Sequence, residues 1–249
     1  MSKLFLARPS YSHYEPESDY AAKCSVGRDS QLEIHSAGFR SSMSAKNQND
    51  HLCTCMNLGG YDYFGMLHAD VAPDEGWADV LVDELEKHDL DIIHAPARFK
   101  NETGITSTAV GYSKNIWMPV RRITTTELQD LPQTFDINTL REVYDAGAER
   151  LLFNTGCMVF KIGPWLDKFP GFTMYDRIVI FEGKWCAVTV SEDYVFAHWC
   201  ANQGLKAGAT KIVTRHFGRK AFCSDEVCGP ARDAEFDRDM AKVRELEAV

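Results

Sequence analysis

The sequence predicts an α/β protein: a mixed, mostly parallel sheet flanked by helices, in a single domain. Three observations carry that expectation. Between residues 3 and 95, short apolar runs and segments of helical periodicity follow one another in the order β, β, α, β, α, β. The chain has 249 residues, enough to bury a sizeable core. Hydrophobic residues make up 45% and charged residues 25%, the balance of a soluble globular protein.

Each element has its own reason. Lys3 to Ala7 (KLFLA) is a short apolar run stopped by Arg8-Pro9-Ser10, which reads as a buried strand. Tyr11 to Ala22 is aromatic and acidic, with helical character in its second half. Gln31 to His35 alternates as a strand does. Ala45 to Leu58 carries Leu52, Cys53, Cys55, Met56 and Leu58 on a helical apolar face, and Gly59-Gly60 ends it. Tyr63 to His68 is the next strand. Pro73 to His88 opens on a proline and two acids, with Trp77, Val80, Leu81 and Leu85 at helical spacing. Leu90 to Ala95 is again a strand.

The second half is less regular. Phe99 to Ser113 is polar and Gly/Thr-rich and takes no clear assignment. Leu128 to Phe135 contains a proline and reads as loop, and Asn138 to Tyr144 as a short helix. Leu151 to Ile162 is two apolar runs split by Asn154-Thr155-Gly156. Gly163-Pro164-Trp165 starts a helical piece closed by Pro170-Gly171. Ser191 to Gln203 has acids at its front and ends at Gly204, a helix. Ala209 to Arg215 is a strand, followed by His216-Phe217-Gly218. These elements make one domain over residues 1–222, and residues 223–249 form a charged helix or tail.

Charge and cysteine content narrow the partners. The net charge of −9 leaves no global basic field for nucleic acid. A local groove could still draw on Arg98, Lys100, Arg121, Arg122 and the cluster at 215–220. The apolar runs are too short to span a membrane, and the amino terminus is too weakly apolar for a signal peptide. The expected location is the cytoplasm, with reduced thiols. Cys53 and Cys55 are spaced C-x-C and Cys223 and Cys228 C-x₄-C, neither a zinc-knuckle pattern. Cys157, Cys186 and Cys200 sit among apolar residues and read as small core groups, as Trp165, Trp185 and Trp199 read as core aromatics or as the wall of a ligand site.

The chemistry concentrates at Tyr61 to Val71, YDYFGMLHADV. If the strand runs through them, His68 and Asp70 point to one side and converge at its carboxyl end, where open α/β sheets bind ligands. There they could hold a divalent cation, and the cation a phosphate. The alternative for Asp70 is a turn or cap residue before Pro73, and for Ser191-Glu192-Asp193 a plain helix start.

Four landmarks follow in order: H-A-D-V at 68–71, N-T-G-C-M-V-F at 154–160, S-E-D-Y at 191–194 and R-H-F-G at 215–218. Together they resemble the GT-A-fold glycosyltransferases of the family-two type, over roughly residues 3 to 220. The resemblance implies transfer of a sugar from a nucleotide diphosphate sugar, a UDP-sugar first among them, to an acceptor hydroxyl, with inversion. It implies a metal (Mn²⁺ or Mg²⁺) on Asp70, His216 and His68, although the family usually has aspartate where His68 stands. It makes Asp193 the general base and Glu192 its orienting partner. It puts Arg8, Pro9, Ser10 and Asn47 beside the nucleotide. Asn154 and Gly156 would lie at the sugar, and Arg215, Arg219 and Lys220 would close over the diphosphate. The acceptor is left open between a glycan, a lipid, a protein and a hydroxylated DNA base of viral type. Two other readings remain: a nucleotidyltransferase, and a non-catalytic domain that binds a sugar nucleotide.

Overall fold

A computed structural model describes residues 1–11, 13–181, 183–218 and 220–226. Strand β1 (Ser2–Ser10) leads to helix α1 (Pro16–Lys23), whose first turn carries Pro16 and the acids Glu17 and Asp19. Strand β2 (Leu32–Arg40) leads to α2 (Ser44–Leu58), which Gly59 ends at φ 66°. Then come β3 (Tyr63–Leu67), β4 (Val71–Pro73), α3 (Trp77–Lys87), β5 (Ile92–His94), β6 (Ile105–Gly111) and β7 (Val120–Thr124). Next are α4 (Thr125–Asp130), β8 (Thr134–Asp136), α5 (Ile137–Val143), β9 (Arg150–Leu152) and β10 (Cys157–Lys161). After a 3₁₀ turn at Pro164–Lys168 the chain forms β11 (Tyr175–Phe181), β12 (Lys184–Val190), α6 (Glu192–Gln203), β13 (Ala207–Thr210), β14 (Thr214–Phe217) and β15 (Ala221–Cys223).

Among the described residues the central sheet has seven strands in the order β2-β1-β3-β10-β5-β13-β8. β1 runs parallel to β2 and β3, and β5 parallel to β13; β10 and β8 run against their neighbours. The expected mixed, mostly parallel sheet is therefore present. Alternation along β1 sorts its side chains between two layers. Leu4 and Leu6 join Trp77, Leu81 and Leu85 of α3 in one core. Phe5 and Ala7 join Leu52 of α2 and Phe196 of α6 in the other. Each fully buried leucine or phenylalanine among them contributes roughly 1.5–3 kcal/mol of transfer free energy. A third core lies beneath the small sheet β7-β6-β9. No helix among the described residues is long and apolar enough to cross a membrane.

Several expectations need correction. Strand β3 stops at Leu67, and residues 69–70 are a turn closed by the Val71 N–H donating to the His68 carbonyl at 3.2 Å. His68 and Asp70 are thus not strand neighbours on one face. Pro73 belongs to β4, and α3 starts only at Trp77. The 209–215 run breaks into β13 and β14. The 128–135 segment is not loop throughout: it holds the end of α4, whose capping box is Thr124 with Glu127, and strand β8. Trp185 is 77% exposed on the β11–β12 hairpin, and Cys186 is half-exposed beside it rather than in the core. Arg219 and residues 227–249 lie outside the described residues.

Candidate functional site: a cleft at the carboxyl ends of β1, β2 and β3

The chain leaves β1 for β2 on one side and returns to β3 on the other, so the strand order reverses at β1. Such a switch point opens a crevice at the carboxyl ends of the strands. A cleft of roughly 360 Å3 lies there. Pro9 and Ser10 at the end of β1, Ser44 and Asn47 at the start of α2, His68 and Asp70 after β3, and Lys100 line it. Asn47 is 2% exposed and fastens the rim: its Nδ2 donates to the carbonyls of Ser10 (3.1 Å) and Phe39 (3.2 Å), tying β1 to β2. Its Oδ1 accepts from no side chain or backbone group among the described residues.

The turn after β3 divides its two chemical groups. Ser18 of α1 donates to the His68 carbonyl (2.9 Å), and Phe217 N–H donates to the Asp70 carbonyl (2.8 Å). Strand β4 then pairs antiparallel with β14, and this brings His216 to Asp70, with Nε2 3.6 Å from Oδ2. The Arg98 carbonyl accepts from His216 Nδ1 (2.9 Å), which fixes the ring with Nε2 toward the carboxylate. Lys100 Nζ makes a direct ion pair with the same Oδ2. Burial opposes ionisation of Asp70, but hydrogen bonds and charge from His216, with Lys100, outweigh it and hold the carboxyl well below the usual range.

His68 turns the other way, into a buried polar chain. Its Nε2 is 3.2 Å from Thr155 Oγ1. Thr155 Oγ1 is also 2.5 Å from Asp193 Oδ1 and 3.0 Å from Gln48 Nε2. A hydroxyl has one proton. With Asp193 ionised that proton lies toward the carboxylate, so Gln48 and His68 both donate to Thr155 and His68 Nε2 carries hydrogen. Thr155 N–H donates to the same Oδ1 at 3.3 Å, leaving Asp193 Oδ2 without a partner among the described residues. Burial, then the neighbouring charge of Glu192, push the Asp193 carboxyl up. Glu192 Oε1 accepts from Ser44 Oγ and, at 3.5 Å, from Gln48 Nε2. Neither acid at the start of α6 lines the cleft itself: Glu192 reaches its wall through Ser44, and Asp193 through Thr155 and His68.

The other candidate residues divide. Pro9, Ser10 and Asn47 line the cleft. Arg8 does not: it is 5% exposed and donates to Ser18 (3.1 Å) and Asp19 (3.3 Å). Asn154 is spent on structure, donating to the Ala95 carbonyl after β5 (3.2 Å) and accepting from Gly156 N–H in its own loop (2.8 Å). Gly156 is needed for packing, because a Cβ there would meet Asn154 Oδ1 at 3.0 Å and Val71 Cγ2 at 3.4 Å. Arg215 pairs with Asp74 (2.9 Å) and Lys220 with Glu102 (2.6 Å), both away from Asp70. Of the residues considered for a nucleic-acid groove, Arg98 is 2% and Arg121 8% exposed, and both are held in ion pairs. They form no open basic row.

The metal set implied by the resemblance does not assemble. Among the described residues no group of three or more His, Cys, Asp or Glu could hold an ion. His68 Nε2 is committed to Thr155, and the Asp70 carboxylate already carries the Lys100 ammonium. The side chains as they stand offer Mn²⁺ or Mg²⁺ at most Asp70 and His216, with Lys100 already on the carboxylate. Sequence reading missed Ser44 and Gln48 as site residues, considered Lys100 only for a nucleic-acid groove, and noted Thr155 only as part of the polar break at 154–156. The signal for Thr155 was the polar break in an apolar run, since polar groups between buried strands usually serve a partner; Gln48 gave none.

No family model and no curated protein matches the chain. Among solved structures, it superposes on A197 from STIV with a TM-score of 0.50 at 16% identity, over 94% of this chain and 100% of that one. CMP:2-keto-3-deoxy-manno-octonic acid synthetase complexed with CTP gives a TM-score of 0.45 at 11% identity, over 100% and 99%. At such identity the match to A197 is a likeness of fold alone: this chain has a mixed α/β fold with a cleft at its switch point.

Proposed function

We propose that this chain is a glycosyltransferase that moves a sugar from a nucleoside diphosphate sugar to an acceptor hydroxyl, with inversion. The observation that carries the reading is Asp193: its Oδ1 is pinned by the Thr155 hydroxyl and amide, its Oδ2 is unengaged, and its basicity is raised by burial and by Glu192. A carboxylate so placed suits a general base. The acceptor oxygen attacks the anomeric carbon while its proton passes to Oδ2. The bond to the diphosphate breaks, and the electron pair leaves with the diphosphate. Glu192, held by Ser44, orients the acceptor side. Pro9, Ser10 and Asn47 form the rim on which the nucleoside rests. The buried state of Arg98 and Arg121 favours a small or glycan acceptor over duplex DNA.

A nucleotidyltransferase would need basic groups after the first strand to meet a triphosphate, and Arg8 is turned into the interior instead. The test is release of nucleoside diphosphate from a panel of nucleotide sugars, UDP-sugars first, with glycan acceptors. Asp193→Asn is expected to lower kcat by about 10²–10⁴-fold with little change in donor KM. A product that keeps the donor's anomeric configuration would remove Asp193 from the role of base.

A further inference from the structure

We infer that Lys100 is a built-in cation for the donor's diphosphate, standing on Asp70 where a divalent ion would otherwise have to bind. The inference rests on the cleft being a nucleoside diphosphate site. Lys100 lines that cleft, and its Nζ is anchored on Asp70 Oδ2. An ammonium has three N–H donors. One goes to Asp70, which leaves two for phosphate oxygens. Lysine serves as a phosphate ligand in this manner, as a point charge held in place.

Three features hold the ammonium at that point. Asp70 is itself fixed by the turn after β3 and by the Phe217 N–H on its carbonyl. Arg98, two residues before Lys100, is 2% exposed; its guanidinium binds Glu226 at 2.6 Å and the Asn101 carbonyl at 3.2 Å. That pins the loop on both sides of Lys100. The third is Gly218. A Cβ there would lie 3.2 Å from Lys100 Cδ and 3.5 Å from its Cβ, so the bare glycine is the wall along which the lysine stem runs. The glycine of the R-H-F-G landmark thereby has a task in this chain: it makes room for a lysine. With His216 directed at the same carboxylate, Asp70 serves as the anchor of the Lys100 ammonium and not as the ligand of a metal.

The inference predicts diphosphate binding without a divalent ion. The probes are inorganic pyrophosphate and UDP, titrated calorimetrically into the full chain with EDTA and then with MnCl₂. Binding should persist in EDTA, and Lys100→Met should weaken it about ten- to a hundredfold. Methionine keeps an unbranched stem against Gly218 and removes the charge. Gly218→Ala, which displaces the stem and leaves the charge, should weaken binding less, and it serves if Lys100→Met does not fold. Binding that EDTA abolishes, MnCl₂ restores and both variants leave unchanged overturns the inference. The donor panel separates the two readings. Turnover that requires Mn²⁺ keeps the glycosyltransferase and overturns the lysine cation. Metal-free pyrophosphate binding through Lys100, with no donor turned over, keeps the cation and rejects the glycosyltransferase.

Discussion

Thr155→Val is the most informative single change, because it replaces the hydroxyl at the centre of the polar chain by a methyl group and preserves shape. Thr155 and Gln48 are both fully buried. Without the hydroxyl, Gln48 Nε2 keeps only its 3.5 Å contact to Glu192, and Asp193 Oδ1 keeps only the 3.3 Å bond from the Thr155 amide. An amide donor left unsatisfied costs about 1–3 kcal/mol, and a lost bond to a carboxylate a similar amount. Asp193 is half-buried and rehydrates in part, so the sum comes to about 2–3 kcal/mol. For a chain of this size that lowers the melting temperature by roughly 4–12 °C. The assays are thermal unfolding and the pH dependence of kcat/KM.

Stability alone does not distinguish a catalytic network from a structural one. The pH profile does. Both bonds from Thr155 favour the ionised form of Asp193 and hold its pKa down against burial. Losing the hydroxyl bond raises that pKa further, so the acidic limb of the profile moves to higher pH while the rate above the limb recovers. Thr155→Ser keeps the hydroxyl and should keep the limb in place, with only the cost of a missing methyl group. A limb that does not move in Thr155→Val, or that moves as far in Thr155→Ser, refutes the assignment of Asp193 as the base.

Two further predictions concern the sheet beneath the site. His94 is fully buried between the Gly208 carbonyl (2.9 Å) and Thr108 Oγ1 (2.8 Å), and burial lowers its pKa from 6.5 to about 3. A depressed base contributes stability that is complete above 6.5 and is lost as pH falls toward 3, at up to about 1.4 kcal/mol per pH unit; urea unfolding between pH 7 and 4 should show that slope, and His94→Gln should flatten it. Gly208 faces Leu90, whose Cδ1 would lie 2.4 Å from an added Cβ, so Gly208→Ala should cost about 1–3 kcal/mol in denaturant midpoint by forcing Leu90 off its rotamer.

The parts of this fold that were legible in the sequence are those set by local period. Strand β1 with its apolar run, α3 with Trp77, Leu81 and Leu85, and α6 from its acids to Gly204 all follow from spacing and caps. The parts that were not legible are set by pairing between distant segments. Strand β4 is three residues long and has a place only because β14 pairs with it. Without that partner the run from His68 to Pro73 reads as the end of one strand and the start of a helix. The same pairing is what separates Asp70 from His68. Hairpin β11–β12 shows the limit from the other side: Ile178 and Trp185 are exposed, so its apolar content predicts burial that the fold does not supply.

One assignment could have been made from the sequence by applying the strand rule to its end. Arg215 and His216 are consecutive in an extended segment, and consecutive residues of a strand face opposite ways. If His216 meets Asp70, then Arg215 has to leave the cleft, and it does so to reach Asp74. The positive charge that a diphosphate in the cleft would require therefore has to come from another element. Arg8 and Arg98 are locked in the interior, and Lys220 is drawn to Glu102. Lys100 comes from the one stretch, 99–113, whose pattern announced nothing. A polar loop gives no periodicity to read, so Lys100 stood in the sequence only as one basic residue among several, and its place beside Asp70 became legible once β14 and the turn after β3 had brought Asp70 to it.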